Sequence, residues 1–210
     1  MRPAMDAFRC LGFPEDALSK LLVIEMGVLL LSPDRISEIF ENLKALGLGV
    51  SDRGFIYGIR AFCRLSRETW LRKVALYRSF GMSEGEFRMA IKIQPTIVCF
   101  SYESIKKKLR FFLDVLKLEL SDVMGRPVIM GYSLEKSIIP RCAVLSVLRR
   151  ERKIEPDIKL INVLLGSTKM FSEKYVLRYA QDVPDVVKAY GGKIKFEGFR
   201  DRDDLVPLKQ

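Results

Sequence analysis

Hydrophobic residues recur at helical spacing behind a serine in the segment 32–47, SPDRISEIFENLKALG. Ile36, Phe40 and Leu43 lie three or four residues apart, which places them on one face of a helix. Ser32 suits the N-cap, because its hydroxyl can accept a hydrogen bond from a free backbone N–H of the first turn. The proline and the aspartate that follow favour the same turn. The segment therefore predicts an amphipathic helix, and the serine is interpreted as its start and not as a nucleophile.

The serine phrase recurs along the chain at intervals of 34, 35, 32 and 39 residues. The serines that begin it are Ser32, Ser66, Ser101, Ser133 and Ser172. A period near 35 residues is that of a supersecondary unit stacked in tandem. The pattern therefore predicts a repeat protein in which each serine opens the first helix of a unit.

Each unit contains two more elements behind its first helix. A second apolar-periodic segment follows a short turn, as at 52–62 and 84–93. Pro95 and Pro127 end such segments, because proline lacks the N–H and clashes with the preceding turn. Gly166 occupies the matching place before Ser172 in the last unit. The apolar residues between this breaker and the next serine predict a short, buried third helical turn.

The predicted fold is all-α, an α-solenoid of about five tandem triple-helical repeats between residues 8 and 175, the first without its opening helix. Such a unit cannot bury its apolar face alone, so stacked neighbours supply the core and leave an extended concave surface. No segment alternates with period two for long enough to predict a sheet. We expect a repeat domain over residues 1–192 and a polar, flexible tail over 193–210.

The composition excludes several classes of function. Hydrophobic residues make up 49% and charged residues 30%, as in a folded protein. The apolar run at 21–31 is interrupted by Glu25 and is too short to cross a membrane. The chain has no histidine, which excludes catalytic triads and zinc sites that need imidazole. Its four cysteines are far apart, so we expect no metal. The sequence contains no Gly-rich phosphate loop, and we expect no cofactor and no enzymatic activity.

The net charge of +10 points to a polyanionic partner. The basic residues cluster on the first helices of successive repeats, where equivalent positions form a track. We predict that this track binds nucleic acid through Arg72, Lys73, Lys106, Lys107, Lys108, Arg110, Arg141, Arg149 and Arg150. The alternative is that these cations lie on solvated helix faces and form ion pairs at i, i+4 spacing. Arg110 and Asp114 have this spacing.

Several segments together resemble the mitochondrial transcription termination factor (mTERF) family, particularly its plant branch. They are the turn LGLGVSD at 46–52, the phrase proline–four residues–aromatic–serine, IIPRCAVL at 138–145, and YVLRYAQDVPDVVKAYGG at 175–192. The resemblance covers residues 8–192. Met26 and Arg60 depart from it, since they stand where the first two repeats would have the proline.

The resemblance implies a right-handed superhelix that binds nucleic acid in its groove in mitochondria or chloroplasts. Binding to double-stranded DNA would terminate or regulate organellar transcription. An RNA-binding factor for splicing or ribosome assembly, and a scaffold for a protein partner, stay open as alternatives. We expect a monomer without membrane contact, with other organellar gene-expression proteins as further partners. No transit peptide is visible in this chain.

Overall fold

The computed structural model describes residues 2–155 and 158–199, and these residues form helices and turns with no β-strand. The α-helices, in chain order, are α1 Arg2–Cys10, α2 Glu15–Ile24, α3 Pro33–Ala45, α4 Arg53–Phe62, α5 Arg67–Ser79, α6 Glu84–Ile93, α7 Tyr102–Arg110, α8 Leu120–Gly125, α9 Ile139–Arg150, α10 Leu160–Leu164, α11 Thr168–Phe171 and α12 Asp185–Tyr190. The predicted all-α class is therefore confirmed.

Shorter 3₁₀ and π turns complete the repeats. The 3₁₀ turns are Met26–Leu30, Pro95–Cys99, Pro127–Gly131 and Leu177–Tyr179, and the π turns are Phe111–Val115, Leu134–Ile138 and Ser172–Val176. The two turns that begin at Pro95 and Pro127 are the predicted third elements, and their apolar side chains are largely buried. The prolines fit there because the first turn of a helix has no use for their missing N–H.

Serine caps begin the first helices of the repeats, as the sequence predicts. The hydroxyls of Ser32, Ser66, Ser101 and Ser133 each accept a hydrogen bond from the backbone N–H three residues on, at 3.1–3.2 Å. Each bond satisfies one of the donors that a helix start leaves free. The serines are therefore structural.

Two details of the predicted repeat pattern are wrong. The last repeat opens at Ser167, whose Oγ accepts from the N–H of Met170 at 3.2 Å, while Ser172 lies inside the continuing helix. The corrected interval from Ser133 is 34 residues, which restores a regular period. The first repeat does have an opening helix, α1, because Ala4 and Phe8 supply the apolar face that packs against α3.

The contacts divide the described chain into two units. Unit 1 contains the described residues up to 109 together with 119–130, and unit 2 contains 110–118 and the described residues from 131 onward. In unit 1 the corresponding helices of successive repeats pack side by side, α1 on α3, α2 on α4, and α6 on α8. A cluster of Phe8, Phe13, Phe40 and Phe55, with ring centroids 5.0–6.1 Å apart, joins the first two repeats. The predicted stacking of repeats is thus present within unit 1.

In unit 2 the core is built around α9, whose residues Cys142–Leu145 are all buried. Helix α12 packs against it, and Phe171 contributes a ring 5.8 Å from that of Tyr190. Residues 193–199 of the predicted tail add Phe196, whose ring centroid lies 6.2 Å from that of Phe111. Residues 200–210 of that tail lie outside the described residues. None of the described helices is long and apolar enough to span a bilayer.

The thiol of Cys142 gives a direct test of the unit 2 core. Cys142 is completely buried, and this burial raises the pKa of its thiol to about 12. Only the thiolate reacts with a disulfide reagent such as DTNB, so labelling requires opening of the core. At pH 8 we expect Cys142 to react on the order of a thousandfold more slowly than the exposed Cys10.

Cys142→Ala should remove the slowest labelling phase, and all four thiols should react at once in urea. Rapid labelling of all four thiols in native buffer would contradict the described core.

Candidate nucleic-acid interface

Three of the basic residues predicted to bind nucleic acid are buried. Lys73, Lys108 and Arg141 are 8%, 8% and 2% exposed. The Lys73 ammonium donates to the carbonyl oxygens of Val98 and Phe100 at 2.5 and 2.7 Å. Val98 and Phe100 lie three residues and one residue before Ser101, the cap of the next repeat, where helical carbonyls lack a partner of their own.

The same arrangement recurs in the following repeats. Lys108 donates to the carbonyl oxygen of Met130 at 2.5 Å. The Arg141 guanidinium donates to the carbonyl oxygens of Leu164 and Gly166 at 2.5 and 2.6 Å. Lys73 and Lys108 both follow their cap serine by seven residues, whereas Arg141 follows by eight because a π turn adds one residue.

The second repeat makes an equivalent contact from a different position. Arg35 lies one helical turn closer to its cap serine, and its Nη2 donates to the carbonyl oxygens of Phe62 and Leu65 at 3.1 and 2.5 Å. We call these four side chains, Arg35, Lys73, Lys108 and Arg141, the carbonyl latches. A cation suits the end of a helical turn because the carbonyls there carry partial negative charge.

The sequence contains a signal for the latches, although the prediction grouped these residues with neighbouring basic residues on the surface. Lys108 lies three residues after Ile105 and four before Phe112, both of which are fully buried. Arg141 stands in the same relation to Ile138 and Leu145. A single cation within an apolar stripe at helical spacing therefore indicates a buried, hydrogen-bonded charge.

The remaining predicted cations of α5 and α7 reach the surface. Arg72 is 73% exposed and forms an ion pair with Glu68 at 2.5 Å, one turn earlier on the same helix. Lys107 and Arg110 are exposed and Lys106 is half-buried. Neither Lys106 nor Arg110 forms an ion pair with any residue that the structure describes. The π turn that follows Arg110 changes the angular spacing, so the pair with Asp114 does not form.

At the end of α9, the two predicted arginines are engaged locally. The guanidinium of Arg149 lies over the ring of Phe199, 4.3 Å from its centroid. Arg150 contacts the carboxylates of Glu151 at 3.0 Å and Asp185 at 3.5 Å. The pair with Glu151 joins sequence neighbours, whereas the i, i+4 spacing of the solvated-face alternative is found in the pair of Arg72 with Glu68.

Two basic clusters were not among the predicted site residues. In unit 1, Arg64 contacts the buried carboxylate of Glu25 at 2.6 Å and Arg60 lies 4.0 Å from it. In unit 2, Lys174 and Arg178 line a cavity next to two tyrosines. The repeated lysine–tyrosine and arginine–tyrosine pairs, four residues apart in KYVLRY, are the sequence signal for the second cluster.

Comparison with known proteins supports the repeat assignment. The mTERF family model matches residues 1–172. Transcription termination factor MTERF15, mitochondrial, from Arabidopsis thaliana, is 26% identical over 181 residues, 86% of this chain and 40% of its own length. Transcription termination factor MTERF8, chloroplastic, from the same plant, is 23% identical over 138 residues, 66% of this chain and 28% of its own length.

The chain thus spans less than half the length of these two relatives. No solved structure matches it significantly. The family model covers most of the 210 residues, and its helical repeats agree with the capped triple-helical units described above. The chain therefore belongs to the mTERF family.

Proposed function

We propose that this chain binds nucleic acid through the surface cations of α7, the half-buried Lys106 and the exposed Lys107 and Arg110, and so regulates transcription in a plant mitochondrion or chloroplast, without catalysis. The observation that carries the proposal is the state of Lys106 and Arg110, which lie one helical turn apart with no carboxylate partner among the described residues. Such cations can replace the counterions condensed on a phosphate backbone. Double-stranded DNA is the proposed ligand, because both relatives are named transcription termination factors.

The nine predicted residues have different roles in this interface. Lys73, Lys108 and Arg141 connect the first helix of a repeat to the end of that repeat and do not touch the ligand. Exposed cations supply phosphate contacts, which give affinity without sequence information. Arg72 and Lys107 each lie six residues after their cap serine, so they occupy the same position in successive repeats. Arg72, Arg149 and Arg150 have local partners and contribute less.

The salt dependence of binding tests the proposal. With labelled duplex DNA, single-stranded DNA and RNA of one sequence, fluorescence anisotropy gives the affinity at several salt concentrations. If about five phosphates are neutralised, log K should fall against log salt with a slope near −4 to −5 on the duplex. The triple variant Lys106→Gln/Lys107→Gln/Arg110→Gln should flatten that slope by about 2 to 3.

The matched control is Lys20→Gln/Lys44→Gln/Lys92→Gln, which removes the same charge from exposed positions on α2, α3 and α6. An equal loss in this control would show that only net charge matters, and would contradict an interface on α7. Preference for RNA over the duplex would select the RNA-binding alternative. Absence of binding at low salt would favour the protein scaffold, for which the exposed Val23, Met26 and Leu30 offer an apolar surface.

A further inference from the structure

Unit 2 contains a basic cavity of about 290 Å³ that the proposed interface on α7 does not use. One wall is the segment that follows α9, with Arg152 and Lys153, and the other is the helical segment that carries Lys174 and Arg178. Tyr179 joins the two walls, since its hydroxyl donates to the carbonyl oxygen of Lys153 at 3.2 Å. The two basic walls are therefore held in a defined relation.

The charge of the lining is strongly unbalanced. Four cations face one carboxylate, that of Glu155. Lys153 has a long contact with Asp182 at 3.8 Å, but Arg152, Lys174 and Arg178 form no ion pair with any residue in the described ranges. Cations gathered in one concavity without counterions create a positive potential that attracts an anion.

Aromatic rings hold two of these cations in place. The ammonium of Lys174 lies 5.3 Å from the ring centroid of Tyr175, and the guanidinium of Arg178 lies 5.6 Å from that of Tyr179. A ring face orients a cation without neutralising it, so the N–H donors stay available to a ligand. The pairs recur four residues apart, on neighbouring turns of the same segment.

Arg152 occupies a position that favours glycine. Its φ is 53°, and the bond from the N–H of Lys153 to the carbonyl oxygen of Leu148, at 2.9 Å, closes α9 in the manner of a Schellman motif. Glycine is the usual residue there because a side chain disfavours the left-handed conformation. An arginine at this place puts a guanidinium at the cavity at a conformational cost.

We propose that this cavity binds the phosphomonoester of a nucleotide. A terminal phosphate concentrates about two negative charges and several acceptor oxygens on one group, which suits Arg152, Lys174 and Arg178 together. The volume of the cavity, about 290 Å³, is at the lower end for ligand sites. The cavity can therefore take a phosphate with its attached sugar but not a duplex. The phosphate can come from the end of a nucleic-acid strand or from a free nucleotide.

The test compares short single-stranded RNA that differs only in its ends: 5′-phosphate, 3′-phosphate or hydroxyl at both ends. At low salt we expect one phosphorylated form to bind at least about tenfold more tightly than the hydroxyl form. The gain in affinity comes from the charge-assisted hydrogen bonds that only a terminal phosphate can accept. Lys174→Gln/Arg178→Gln should abolish this preference and leave the affinity for the hydroxyl form unchanged. Lys169→Gln/Lys195→Gln, the same charge loss at exposed positions in unit 2, should preserve it.

A second variant separates binding from folding. Arg152→Gly relieves the left-handed backbone, so its thermal midpoint should be equal to or above that of the parent, while the phosphate preference falls. Displacement of the RNA by a nucleoside monophosphate, and not by the nucleoside, would identify a free nucleotide as a ligand; retention of the RNA would identify the strand end. Equal affinity for phosphate and hydroxyl ends, or an equal loss in the Lys169/Lys195 control, would overturn the proposal.

Phosphate binding in the cavity can be tested independently of nucleic-acid binding at α7. Duplex DNA with hydroxyl ends should bind the cavity variants as it binds the parent, and should lose affinity only with the α7 variants. Failure of either proposal is therefore recognised separately.

Discussion

Replacing Arg141 with methionine is expected to destabilise the protein by roughly 3–5 kcal/mol, although methionine keeps most of the side-chain volume. Arg141 is 2% exposed and donates to two carbonyl oxygens at the end of its own repeat, just before Ser167. The variant leaves the buried carbonyl of Leu164 and the half-buried carbonyl of Gly166 without this donor, and an unsatisfied buried acceptor costs about 1–3 kcal/mol. Its ring contacts with Phe171 and Tyr132, at 5.1 and 5.8 Å, are lost as well.

Urea denaturation followed by circular dichroism measures this loss, and the labelling rate of the neighbouring Cys142 reports it locally. Arg141→Lys should cost only about 1 kcal/mol, because Lys73 and Lys108 show that an ammonium satisfies the same carbonyls in other repeats. Arg72→Met, at an exposed position, should change stability by less than about 0.5 kcal/mol. An Arg141→Met variant as stable as the parent would show that the latch contributes nothing.

The helix starts could be predicted from the sequence because a cap is a local device. A serine hydroxyl reaches the N–H three residues on, so the motif and its partner stand together in the sequence. The same locality explains the error at Ser172, where an aromatic residue and a serine reproduce the phrase inside a helix. The helix in fact begins at Ser167. Gly166 stands before this serine, at the place where the phrase has an aromatic residue, so the motif was not recognised there.

The latches could not be predicted in the same way. Lys73 and Lys108 find their acceptors 22–27 residues further along the chain, at the end of the same repeat. Charge clustering assigned them to the surface, because an unpaired buried lysine is costly. Only the three-dimensional position of the free carbonyls shows that this cost is offset. The cavity of unit 2 was missed for a related reason, since its two basic walls are about 20 residues apart in the sequence.

The latches of neighbouring repeats are connected through Phe100. Lys73 donates to its carbonyl oxygen, and the Lys108 ammonium lies 4.7 Å from the centroid of its ring. Burial lowers the pKa of Lys73, so its charged form depends on these carbonyl contacts. Loss of Lys73 frees the Phe100 backbone, and this in turn weakens the ring contact made by Lys108.

We therefore expect non-additive losses from the two substitutions. Lys73→Met should cost roughly 2–4 kcal/mol and Lys108→Met roughly 1–3 kcal/mol. The double variant should cost about 0.5–1 kcal/mol less than their sum, because the shared contact through Phe100 is lost once. Fluorescence of Trp70, the single tryptophan, reports unfolding of unit 1, where it packs 4.8 Å from Phe62. Lys92→Met is the exposed control, and strict additivity of the two latch losses would show that the repeats are stabilised independently.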